Sequence, residues 1–356
     1  MKIAVLGAGN GGIAVAADWS MHGHDVYLYD FVDFPVQINA VAEASGIHCQ
    51  GDLEGFAQIA YSGHDIKLVL KDADLIIAVG PAYSTEPLAI ACKPFVKSGQ
   101  KFIVCPAYCM GALVFKKTLG NDLDDDSVVV ADTSTLPYAC RLIGPAKIRI
   151  YLKLKAGLFL AAIPTNKTFE MNALFSQVYS SKPAENILQT TLQNGNPVIH
   201  PTVTLLNAGR IESTEGAFQF YHDGVTPGVG RLMEQIDNER IAVGQKLGLN
   251  IIADSKLGIQ QGYMDSADYE TGYRTAKGFA GIQAQSSLNH RYFNEDVGYG
   301  LVFISDLGKA YGVETPVIDS VILLASKIME TDYRKKNPYR FETIQSDIQA
   351  ILTSST

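Results

Sequence analysis

The feature that most constrains this chain is an apolar run that passes directly into a glycine turn. Met1-Lys2-Ile3-Ala4-Val5-Leu6 is followed at once by Gly7-Ala8-Gly9-Asn10-Gly11-Gly12, which has G-x-G-x-x-G spacing. The apolar run reads as a buried strand rather than a signal peptide. Gly7 permits the tight turn, Gly9 lets backbone approach a pyrophosphate, and Gly12 allows a helix to pack closely on the strand. Asn10 and Gly11 lie where that helix opens, and its first N–H groups and dipole favour an anion. The next apolar run, 25–29, leads to Asp30, eighteen residues beyond Gly12. An acid there accepts bonds from a ribose 2′-hydroxyl and repels a 2′-phosphate. The cofactor-binding set is therefore Gly7, Gly9, Asn10, Gly11, Gly12 and Asp30, with NAD expected in preference to NADP.

Apolar runs recur at 74–79, 101–105 and 128–132, with amphipathic stretches at 11–22, 35–44, 85–96 and 111–119. Strands alternating with helices imply a parallel sheet covered on both faces, a doubly wound Rossmann-type domain. Runs at 148–154 and 158–163 are expected to extend that sheet, and 50–71 reads as a short antiparallel excursion. The turns 80–82 and 106–108 follow strand ends and are expected to line the dinucleotide groove. Beyond Lys182-Pro183 the texture changes, with helical segments at 184–192, 201–208, 228–247, 315–331 and 339–352. The expected division is a dinucleotide-binding domain, 1–183, and a mostly α-helical substrate domain, 184–356.

Composition narrows the function classes. The chain has 356 residues and is 47% hydrophobic, enough for two cores. Its net charge of −8 lacks the basic face that phosphate backbones demand, so nucleic acid is not an expected partner. No apolar stretch approaches the roughly 20 residues of a membrane span. Five cysteines without close pairing indicate neither a disulfide framework nor a zinc site. The acidic run Asp122-Leu123-Asp124-Asp125-Asp126 lacks the Gly and terminal Glu of a calcium loop. The expectation is a metal-free, cytoplasmic protein with no membrane contact.

Two further segments carry chemistry. Asn194-Gly195-Asn196-Pro197-Val198-Ile199-His200-Pro201 places a histidine just past the domain boundary. Histidine titrates near neutrality and can supply the proton that accompanies hydride transfer to a carbonyl or imine. Pro201 suits a first helical position, which puts His200 near a helix N-terminus and calls for a carboxylate neighbour. The second segment, Arg291-Tyr292-Phe293-Asn294-Glu295-Asp296-Val297, holds Arg291, suited to bidentate carboxylate recognition, and Asp296, able to orient His200. Thr135-Leu136-Pro137-Tyr138 is a candidate border for a nicotinamide. Tyr263, Met264, Tyr269 and Tyr273 are candidates for a side-chain pocket.

The glycine turn, the Asn-x-x-x-His spacing of Asn196 and His200, and the Arg-x-x-x-x-Asp spacing of Arg291 and Asp296 together resemble the opine dehydrogenases, the octopine/nopaline dehydrogenase family, over nearly the whole chain. Gly298 departs from the proline expected at that position. The resemblance implies reductive condensation of an L-amino acid with a 2-oxo acid through an imine, driven by NAD(P)H. It implies His200 as general acid/base with Asp296 as its dyad partner. It also implies Arg291 as the oxo-acid carboxylate anchor, Asn196 as a substrate or nicotinamide contact, and a possible homodimer. Two-domain 2-hydroxy-acid and ketopantoate-type dehydrogenases are the neighbouring reading, but those resembling ketopantoate reductases use a lysine, which 194–200 lacks. A non-catalytic dinucleotide sensor is the third reading, and it has no need of the His, Arg and Asp set.

Overall fold

The computed structural model describes residues 1–336 and 341–354. The chain forms two compact units, Met1–Thr190 and Thr191–Thr356.

In the first unit, continuous apolar runs become strands buried on both faces. Among the described residues they form an eight-stranded sheet in the order Ser181–Pro183, Leu158–Ile163, Val129–Thr133, Lys101–Cys105, Leu75–Val79, Lys2–Leu6, Asp25–Tyr29, Tyr61–Gly63. Neighbours are parallel except at the junction of Leu158–Ile163 with Val129–Thr133. Helices Asn10–Met21, Pro35–Ala44, Thr85–Cys92 and Gly111–Leu119 connect the parallel strands. The strand order reverses between Lys2–Leu6 and Leu75–Val79, and open α/β sheets bind ligands outside the carboxyl ends of strands at such a point. The glycine turn leaves the carboxyl end of Lys2–Leu6.

Two expectations need correction here. Lys147–Lys153 does not extend the main sheet. It joins a four-stranded sheet ordered Gly55–Gln58, Gly46–Gly51, Lys147–Lys153, Tyr138–Gly144. Its alternation of Lys and Arg with Ile and Leu is the mark of a strand with one wet face, and the buried residues Ile148, Ile150 and Leu152 alternate accordingly. The stretch 50–71 is antiparallel only in part. Gly46–Gly51 and Gly55–Gln58 pair antiparallel, after which Tyr61–Gly63 rejoins the main sheet parallel to Asp25–Tyr29. The four-stranded sheet is tied to the Asn10–Met21 helix by Asp18, which is fully buried. Its carboxylate takes Lys153 Nζ at 2.8 Å and the Tyr138 hydroxyl at 2.5 Å.

The second unit is helical, with Asn196–Leu206, Pro227–Lys246, Asp254–Gln261, Val302–Tyr311, Pro316–Ile328 and Phe341–Ser354 as its main elements. The helix expected at 339–352 begins outside the described residues and is seen from Phe341. The segment expected at 201–208 begins earlier, at Asn196, because Pro197 takes the first-turn position and Pro201 lies inside the helix. His200 is therefore one turn into the helix rather than at its N-terminus. Among the described residues no helix is long and apolar enough to cross a membrane, and no cluster of three or more His, Cys, Asp or Glu could hold a metal ion.

Asp132 supplies a test of this fold. It is wholly buried, accepts from Thr190 Oγ1 at 2.5 Å and Ala112 N at 3.1 Å, and burial pushes its carboxyl up to about 7. The folded chain thus keeps a proton that the unfolded chain releases from about pH 4 upward. The stability contributed by this group is complete in acid and is lost as pH rises toward 7. Thermal melts between pH 4 and 8 should show a decline in Tm with rising pH that is shallower in Asp132→Asn. Parallel Tm profiles would refute this account.

Candidate active site

The glycine turn in the first unit has the shape that a dinucleotide needs. Gly7 adopts φ +102°, and a Cβ there would lie 2.1 Å from the Val79 carbonyl oxygen. A Cβ on Gly12 would lie 1.8 Å from the Gly7 carbonyl oxygen, which is the close packing foreseen for the third glycine. Gly9 differs, since a Cβ there would meet nothing within 4 Å. Its open side is where phosphate can reach backbone. The Asn10–Met21 helix has no side-chain cap and no acid in its first turn, so its first-turn N–H groups, without intrahelical acceptors, can receive an anion.

The neighbouring side chains complete this region. Asn10 Oδ1 accepts from Leu142 N at 2.7 Å, so its side chain staples the turn to the second sheet. Asp30 accepts from Ala8 N at 2.7 Å and from Phe31 N at 2.8 Å. Burial raises its pKa, and these two backbone donors oppose the rise. His64 Nδ1 lies 2.7 Å from the Asp30 carbonyl oxygen. Leu136 packs within van der Waals reach of Gly11, whereas Tyr138 belongs to the Asp18 network. These residues fit a nicotinamide dinucleotide.

The second unit assembles the other candidates. His200 and Asn196 lie four residues apart on the Asn196–Leu206 helix and so share a face. Asp296 opens a six-residue π-helical stretch, Asp296–Leu301, that follows the short helix Arg291–Asn294. Helices with i→i+5 bonding recur at functional sites, and here Gly300 N donates to Glu295 O at 3.2 Å. A Cβ on Gly300 would come within 2.5 Å of Pro197 Cγ, so glycine lets the π stretch press against the start of the His200 helix. Gly298, in place of the expected proline, packs on the Tyr333 ring.

This packing joins residues 96 positions apart. His200 Nδ1 and Asp296 Oδ2 are 2.9 Å apart, with Asp296 excluded from solvent. A carboxylate accepts, so Nδ1 donates and Nε2 is left to exchange a proton. The His200 ring stacks on Tyr292 at 3.9 Å and 20°. Nε2 meets the Tyr221 hydroxyl at 3.1 Å. Arg291 Nε donates to Glu295 at 2.8 Å. Its side chain is 37% exposed against 1% for Glu295, so the guanidinium neutralises a buried acid while still reaching solvent. Arg291 thus pairs with Glu295, its neighbour one turn along the chain.

A second buried network fixes the entry to the His200 helix. Arg240 pairs with Asp237 at 2.5 Å and donates to the carbonyl oxygens of Leu192 and Ile252. Asp254 Oδ1 sits where a Cβ on Gly195 would be, so only glycine fits this turn. Burial, with the Asp237 carboxylate adding to it, pushes Asp254 up to about 6. The hydroxyls of Tyr269 and Tyr273 donate to Asp237 and Asp254. Through these hydroxyls the two tyrosines, candidates for a side-chain pocket or for the core, join the buried framework. Tyr263 instead stacks on Phe279 at 4.6 Å. Sequence reasoning missed Tyr221, Tyr292 and Glu295. Tyr292 and Glu295 lie inside the 291–297 segment already singled out, while nothing in the spacing around Tyr221 marks it.

Comparison with known proteins agrees with this arrangement. A family model described as NAD/NADP octopine/nopaline dehydrogenase, alpha-helical domain, matches residues 183–329. An opine dehydrogenase of Arthrobacter sp. (strain 1C) is 36% identical over 340 residues, covering 94% of this chain and 92% of that protein. Vitopine synthase of Allorhizobium ampelinum is 28% identical, covering 93% and 92%. Among solved structures, octopine dehydrogenase with NADH and L-arginine superposes with a TM-score of 0.73 at 18% identity, covering 93% of this chain and 90% of that one. A Rossmann-type sheet, a helical second unit and 36% identity to a curated opine dehydrogenase over 94% of this chain place it in the opine dehydrogenase family.

Proposed function

We propose that this NAD(P)H-dependent opine dehydrogenase condenses an L-amino acid with a 2-oxo acid and reduces the resulting imine, with His200 and Asp296 as its acid–base dyad. The buried His200–Asp296 bond is the observation that carries this reading. Asp296 fixes the imidazole tautomer and orientation, so that proton exchange is confined to Nε2. Condensation needs an acid to protonate the carbinolamine oxygen that leaves as water, and reduction consumes one further proton at the product nitrogen. A group that titrates near neutrality can serve both steps. The dinucleotide supplies hydride when bound, held by Gly7, Gly9, Gly12 and the first-turn N–H groups of Asn10 and Gly11.

Both substrates carry carboxylates, and the chain's net charge is −8, so a local cation is required. Arg291 offers a planar guanidinium for the oxo-acid carboxylate. Asn196, half-buried one turn before His200, offers an amide to the substrate or to the nicotinamide amide. Asp30 is the ribose contact that favours NAD over NADP. Five buried cysteines outside any disulfide support a reducing, cytoplasmic setting for the protein.

The reading requires NADH oxidation that depends on an amino acid and an oxo acid together, tested as a matrix of the two by absorbance. His200→Ala should lower kcat by about 10²–10⁴-fold, the usual contribution of a positioned acid–base group. Full-rate oxidation with an oxo acid alone would favour a hydroxy-acid dehydrogenase instead. Arg291→Ala should chiefly raise KM for the oxo acid, and unchanged oxo-acid kinetics would remove it as the anchor. For the cofactor, kcat/KM should be higher with NADH than with NADPH, and Asp30→Asn should narrow the ratio. A clear preference for NADPH in the unaltered enzyme would overturn the assignment of Asp30.

A further inference from the structure

We propose that the Tyr221 hydroxyl is the terminal proton donor of the site, relaying a proton from His200 Nε2 to the reacting substrate atom; this rests on the reading of His200 as the acid–base group. Asp296 takes one ring nitrogen of His200 at 2.9 Å, and Tyr221 Oη stands 3.1 Å from the other. A substrate atom that approaches Nε2 directly must displace this hydroxyl.

The surrounding rings resist such displacement. Tyr221 stacks on Phe279 at 4.0 Å and 13°, and meets Phe220 edge-on at 5.1 Å and 86°. His200 is held flat against Tyr292. The backbone here is pinned as well, with Phe220 N donating to Ile282 O at 2.9 Å and Val225 N to Tyr221 O at 3.1 Å. Exposure separates the buried carboxylate from the two groups beyond it. His200 and Tyr221 each retain 5%, whereas Asp296 and Phe220 retain none. The imidazole–hydroxyl pair, and not the carboxylate, is therefore the end that a substrate can meet.

The step balances without an added reagent. As the carbinolamine C–O bond breaks, the Tyr221 O–H proton moves to the departing oxygen, which leaves as water. Protonated His200 returns a proton from Nε2 to Oη and becomes the neutral imidazole that Asp296 holds through Nδ1–H. The phenolic ring also shields Nε2 from bulk water while keeping it connected to the substrate.

Tyr221→Phe keeps the ring and its stacking but removes the hydroxyl. Its kcat should fall at least tenfold with KM for NADH unchanged. The proton inventory of kcat, measured in mixtures of light and heavy water, should pass from curved to linear as one moving proton is lost. A kcat lowered less than tenfold, or a lowered kcat with the inventory still curved, would overturn the relay. Should Tyr221→Phe not fold, 3-fluorotyrosine at position 221 preserves shape and makes the phenol more acidic. A severalfold change in kcat is then expected, and no change would refute the proposal. His200→Ala separates the two levels of inference. If it leaves kcat intact, the acid–base reading fails, whereas a severe loss there beside an unaffected Tyr221→Phe fails the relay alone.

Discussion

A carboxylate taken wholly out of water must find a hydrogen-bonded partner, and in the second unit that constraint organises the site. Asp296 has no exposure, and the His200 imidazole satisfies it. Removing one partner of such a pair is costly, because the other is left buried and unmatched. The bond therefore fixes the Asn196–Leu206 helix against the π-helical stretch that bears Asp296, and with it the position of Asn196. Glycine at position 300, against Pro197, removes the steric bar to that approach. The same logic recurs twice nearby. Glu295 is buried against Arg291, and Asp237 and Asp254 are buried around Arg240.

These buried acids have distinct consequences. Asp237, Arg240 and Asp254 bear on the Gly195 turn and set where the His200 helix starts. Asp296 sets the ring tautomer. Glu295 sets the direction of the Arg291 side chain and tempers its charge, leaving a cation that a carboxylate can approach. The aromatic stack of Tyr292, Tyr221, Phe220 and Phe279 then excludes water and restricts ring motion, so that the imidazole keeps one orientation. In low dielectric each of these polar contacts is stronger than it would be in water. The groups proposed for acid–base chemistry and for substrate charge recognition thus lie on two short segments, 196–200 and 291–296, above this framework.

Much of the first unit was legible because its signals are local. A buried parallel strand must be an uninterrupted apolar run, and a helix must be amphipathic, so 2–6, 25–29 and 35–44 could be located from composition and period alone. The misread strand, Lys147–Lys153, carried its correction in its own alternation of charged and apolar residues. The early start of the Asn196–Leu206 helix was obscured by two prolines four residues apart. Either could open a helix, and only packing against Gly300 and Asp254 decides that Pro197 does. Tyr221 was invisible for a different reason. Its role comes from a contact with a side chain twenty-one residues away, and no periodicity records that.

Sequence alone determined the Rossmann-type sheet, the glycine turn with Asp30 behind it and the change to a helical second half, and it singled out the 194–201 and 291–297 segments from which the proposed site is drawn. Each of those is written in residues that are neighbours in the chain or follow a fixed local period. The tertiary structure decided the pairings: Arg291 with Glu295, Asp296 with His200, and Tyr221 at the remaining ring nitrogen. It also assigned the Tyr269 and Tyr273 hydroxyls to a buried framework. Such pairings are settled by which charges and polar groups lose water together when distant segments pack, and that loss exists only in the folded chain.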